Sequence, residues 1–142
     1  MSMTLTLART ILDAALARST ELALKPLAIA VLDARGCTVA FAAQDGTSLL
    51  RGDIARGKAY GALALGIGSR AIFKRAQEQA FFVDAVNSLA QGAIIPVPGG
   101  VLIRDEAGLL IGAVGISGDT SDNDELCALA GIAAVNLKAD AG

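Results

Sequence analysis

The residue types that most often carry catalysis are only partly represented in this chain. Its 142 residues include no histidine. That excludes Ser-His-Asp and Cys-His nucleophilic sites, His-ligated zinc and imidazole-ligated haem. Chemistry must therefore come from backbone N–H groups, carboxylates, hydroxyls and a few cations. Lys58 stands on a predicted helix that is otherwise small, with Ala55, Gly57, Ala59, Gly61 and Ala62 around it. Such a helix can pack closely on a sheet or on another subunit, carrying Lys58 toward a partly buried place where it would act as cation or base. A solvated lysine is the alternative. Asp119, Asp122, Asp124 and Glu125 crowd one turn. They suit helix capping and the helix dipole, or, as the alternative, acid–base work by Asp119 or Asp124 or the binding of a hard metal, although no D-x-D-x-D-G calcium loop is present. Cys37 and Cys127 lie far apart, in no metal-ligand spacing, and read as free thiols of a reducing compartment.

Two glycine-rich segments could hold a ligand against bare backbone. Pro98-Gly99-Gly100 is a rigid-then-permissive turn. Gly112-Ala-Val-Gly115-Ile-Ser117-Gly118 has a strand before it and a helix after it, an arrangement that favours an anion at the helix start. Its spacing is not G-x-G-x-x-G, so a dinucleotide fold is not implied. Close helix packing against Gly112 and Gly115 explains them equally well.

Positioning these groups falls to a short aliphatic chain. The hydrophobic fraction is 54% with aromatics at 4%, enough for a core of small side chains and a surplus that suggests self-association. A net charge of −2 without a basic stripe argues against nucleic acid. The N-terminus lacks an uninterrupted apolar stretch and no run approaches the ~20 residues of a membrane span. The expectation is one cytoplasmic domain, residues 1–142, with no membrane partner.

Periodicity predicts a helix over Thr4–Leu24, capped by Thr4 or Thr6 and closed by Pro26. Leu27–Leu32 and Cys37–Ala43 flank an Asp33–Gly36 turn as a hairpin. Arg51–Leu65 is helical, Ser69 can cap a second piece through Gln79, and Phe81–Leu89 reads as a short helix or turn. Ala93–Val97, Val101–Arg104 and Leu109–Ile116 read as extended, the last two joined at Asp105–Gly108. A final helix runs Asn123–Lys138. Nine elements in the order α-β-β-α-α-β-β-β-α, paired by short hairpins, predict an α+β (α/β) domain with an antiparallel five-stranded sheet flanked by helices.

Val31-Leu-Asp-Ala-Arg-Gly36, Asp45-Gly46, Ala55-Arg-Gly-Lys-Ala59, Pro98-Gly-Gly100 and Gly112–Gly118 followed by Asp124-Glu125 resemble, in order, the GlcG/HbpS-like family. This haem-degrading-domain group is related to the C-terminal domain of PduO-type corrinoid adenosyltransferases. The resemblance implies a profilin-like domain forming homo-oligomers, an accessory role in a bacterial catabolic context, and a small-molecule ligand with haem as the family candidate. It places ligand contacts on Lys58, Gly99, Gly100, Gly115, Ser117 and Gly118, to which Pro98 and Asp119 add the flanks of the two turns. The family usually has a second glycine where Asp119 stands. Two other readings remain: a cofactor-free isomerase, lyase or hydrolase using Lys58 with Asp119 or Asp124, and a structural oligomerisation module.

Overall fold

Turns and caps divide the chain into five helices and five strands, and the computed structural model describes all residues, Met1–Gly142. Helix α1 (Leu5–Glu21) starts behind Thr4, whose hydroxyl accepts a hydrogen bond from the Leu7 N–H at 3.1 Å. It ends before Pro26, with Ala23 in the left-handed region at φ +52°. Strands β1 (Ala28–Asp33) and β2 (Thr38–Ala43) form the expected hairpin. Gly36 turns it at φ +84°, and the Asp33 carboxylate accepts the Arg35 and Cys37 N–H groups. Three helices follow: α2 (Arg51–Leu65), α3 (Ser69–Glu78) and α4 (Ala80–Leu89). The stretch around Phe81–Leu89 is therefore a helix. Strands β3 (Gly100–Arg104) and β4 (Leu110–Ser117), helix α5 (Ser121–Ala133) and a short β5 (Lys138–Asp140) complete the chain.

The sheet order is β2-β1-β4-β3-β5, and every neighbouring pair is antiparallel. Alternate residues of the central strands face opposite helical layers. Ile29, Val31, Val101, Ile103, Val114 and Ile116 pack with α1 and α5. Ala30, Leu32, Leu102 and Ala113 pack with Ala59 and Ala62 of α2. The result is an α+β domain with helices on both faces of a five-stranded antiparallel sheet. No helix is long and apolar enough to cross a membrane.

Two boundaries differ from the sequence expectation. Ala93–Val97 is not a strand. Its apolar residues fill space beside α2: Ile94 is buried, and the Ile95 N–H donates to the Gly57 carbonyl at 3.2 Å. The fifth strand is instead β5, which begins at Lys138, the last residue that periodicity assigned to the final helix. That helix stops at Ala133 because Asn136 turns left-handed at φ +58°, releasing the chain to pair Lys138–Asp140 with β3.

Candidate functional site

Register decides what this end of the sheet can do. The antiparallel pairings align Ala30, Gly115 and Gly100 across β1, β4 and β3, all on the α2 face. This row of small residues lets α2 sink onto the sheet. A Cβ on Gly115 would strike the Ala55 carbonyl, and one on Gly100 would strike the Lys58 carbonyl. The glycines here are filled by α2's own backbone.

The descent brings Lys58 to the margin of the sheet. Its side chain passes Gly99, where a Cβ would lie 3.0 Å from both Cδ and Nζ and 2.8 Å from the Ile116 carbonyl oxygen. Gly99 has φ +122°, a conformation only glycine adopts readily. Beyond it, Lys58 Nζ donates to Asp124 Oδ2 at 3.1 Å; the two side chains are 2% and 1% exposed. Lys58 belongs to one helical layer and Asp124 to the other, so this buried ion pair links them around the end of β3. The other Asp124 oxygen accepts the Asp119 N–H at 3.0 Å. Burial lowers the Lys58 ammonium's pKa and raises that of the Asp124 carboxyl, each moderated by its partner's charge.

The remaining acidic residues separate by role. Asp119 accepts hydrogen bonds from the Asn123 side-chain amide and from the Lys25 and Thr120 N–H groups, which hold its carboxyl down to about 2. It builds the turn and does not reach Lys58. Thr120 caps α5 through the Asn123 N–H. Asp122 and Glu125 both pair with Arg70, at 2.6 and 2.9 Å. Of the predicted turn carboxylates, Asp124 alone meets Lys58.

The other sequence candidates converge on the same margin. Pro98, Gly99, Gly100, Gly115 and Ser117 are buried, with Gly118 and Asp119 half-buried at the rim. Gly118 approaches the Pro26 carbonyl. Two contributors escape a sequence reading. Ser69 does not cap α3: Gly68 takes the cap position and the Ser69 hydroxyl accepts the Gly100 N–H at 2.7 Å. Arg51 opens α2 and donates through a guanidinium nitrogen to the buried Ser117 Oγ at 3.1 Å. It is half-buried and takes part in no ion pair. Its charge also opposes protonation of Lys58. No spacing motif marks either residue, because both contacts join segments distant in sequence.

Lys58 and Asp124 line none of the larger cavities. The largest, about 490 Å³, lies outside the Gly118–Asp119 turn and is lined by Leu24, Pro26, Ala43, Gln44 and Asp45. It borders the site because Lys25, between Leu24 and Pro26, donates its N–H to Asp119 at 3.0 Å. The interior of the predicted site is thus a filled structural joint, and its half-buried rim is Arg51, Gly118 and Asp119.

The family model described as haem degrading protein HbpS-like matches residues 3–133. No curated protein matches the sequence. Among solved structures, a PduOC:haem complex is similar at 25% identity and TM-score 0.87, covering 97% of this chain and 98% of that one. The Klebsiella pneumoniae protein ORFY, of the DUF336 family model, is similar at 27% identity and TM-score 0.84, over 94% and 90% of the two chains. A double mutant of HbpS from Streptomyces reticuli shares the fold at 24% identity and TM-score 0.79, over 94% and 86%.

Proposed function

From the premise that this chain belongs to the haem-degrading HbpS-like family, we propose that it binds a small ligand of the haem class as a homo-oligomeric accessory protein. The observation that carries the reading is the family match over residues 3–133, joined to a full-length likeness to a haem complex. The geometry supports a ligand held by its carboxylate arms. Arg51 offers guanidinium N–H groups that no carboxylate of the chain occupies, on Ser117 next to the half-buried Gly118–Asp119 turn.

The residues fit the acid groups of a tetrapyrrole better than they fit its iron. There is no imidazole. Cys127 is buried and its thiol is pushed up to about 11 by that burial, so it is not a thiolate ligand. Cys37 is exposed, but on the β1–β2 turn at the opposite end of β1 from the site. The proposed role is therefore capture or delivery, with no step assigned to a metal. Lys58, Gly99 and Gly100 support the rim from below. The enzymatic reading of Lys58 with Asp124 needs a substrate to reach a pair that is 2% and 1% exposed.

Titration of the purified protein with haemin tests this. A saturable Soret shift at fixed stoichiometry is expected, with Arg51→Ala weakening it by about tenfold, the worth of one charge-assisted contact at ~1.4 kcal/mol. Featureless, non-saturating uptake, unchanged in Arg51→Ala, would reject it.

A further inference from the structure

The two edges of the sheet are treated very differently. The β5 edge is three residues long and carries Lys138 and Asp140. Short length and charge are the usual protections of an open edge. The β2 edge is six residues, Thr38-Val-Ala-Phe-Ala-Ala43, with neither charge nor proline. Its pairing with β1 couples Ile29 to Ala42 and Val31 to Ala40, and the next hydrogen bond in that ladder runs from the Gln44 N–H to the Leu27 carbonyl. Antiparallel alternation then turns the N–H and C=O groups of Phe41 and Ala43 away from β1. The bulge opposite Val31 leaves Thr38 facing outward as well, since Asp33 and Cys37 form the bonded pair before it.

An apolar shoulder accompanies these free backbone groups. Phe41 is 50% exposed and lies over Gly52, where a Cβ would stand 2.9 Å from its ring. Leu49 and Leu50, at the start of α2, are 94% and 61% exposed. An edge strand without charge or proline, bulged only near its Thr38 end and flanked by large exposed side chains, is an arrangement that other proteins bury against a partner strand.

We infer that β2 pairs with β2 of a second copy of this chain across a twofold axis, extending the sheet to ten strands. Three features select a second copy as the occupant. Twofold self-pairing of a strand is antiparallel, the sense of every pair already in this sheet. The edge brings no charge to oppose its own image. Phe41, half exposed on the edge strand itself, would meet its own apolar image across the axis. This inference stands apart from the ligand reading and requires no haem.

Sedimentation or light-scattering mass of the ligand-free protein tests it, with Phe41→Lys and Thr38→Lys as variants. Thr38 is exposed, so a lysine there can reach water, and circular dichroism confirms that each variant is folded. The parent should have a mass of two, or another even number, of 14.3 kDa chains, and both variants should halve it. A monomeric parent overturns the inference. So do folded variants that keep the parental mass, including the case where Phe81→Lys on α4 alone reduces it.

Discussion

At the scale of single residues, the candidate site is held by groups whose protonation and volume matter. The Asp119 carboxyl, held at about 2 by three donors, sits below the ordinary 3.8 of an unfolded chain. A depressed carboxylate pKa stabilises the fold fully above 3.8, and that contribution disappears as pH falls through the folded value. Acid unfolding should therefore steepen between pH 4 and about 2, and Asp119→Ala should flatten that part of the curve; an unchanged slope would mean the turn is not held by this carboxylate. Gly115 makes the complementary case for volume. Its missing Cβ is where the Ala55 carbonyl and Ala59 lie, so Gly115→Ala must lift α2 from the sheet. A loss of about 1–3 kcal/mol is expected, as for other overpacked positions. It would be read as a lower urea midpoint at unchanged slope.

At the scale of elements, the pattern of apolar residues makes most of the fold legible. Both hairpins, α1, α2 and α3 follow from periodicity and turn chemistry, because each buries its apolar face in a way that a local window records. The Thr4 cap and the Gly36 turn stand where their residue types put them. Ala93–Val97 misleads because Ile94 and Ile95 are apolar for the sake of α2, and a buried loop has the same composition as a buried strand. β5 is invisible for the opposite reason. It is polar, three residues long, and exists only because Asn136 stops α5 early. The candidate site divides along the same line. That the glycine segments and Lys58 belong together is what the family resemblance implies and could be read from the chain; whether any turn carboxylate meets Lys58 could not. That Asp124, and not Asp119, receives it depends on the register that sets Gly100 beside Gly115. Ser69 and Arg51 depend on the same packing.

At the scale of the whole molecule, two helical layers share one thin sheet, and the Lys58–Asp124 pair crosses from one to the other beyond the end of β3. Forming such a pair is not by itself a large gain, since both charges lose their water. Breaking it is costly, because the survivor stays buried. In Lys58→Met, Asp124 would keep only the Asp119 N–H as a partner while remaining 1% exposed. A loss of about 3–5 kcal/mol is expected, a large share of the ~5–15 kcal/mol that holds a typical domain. Removing both charges, as in Lys58→Met with Asp124→Leu, should restore much of that loss and leave the double variant more stable than the single one. Denaturant unfolding of the four proteins of this cycle measures the coupling directly. A single variant that loses less than about 1 kcal/mol would show that the layers are held together by the sheet alone. A double variant no better than the single would show that Lys58 matters for its packing beside Gly99 and not for its charge.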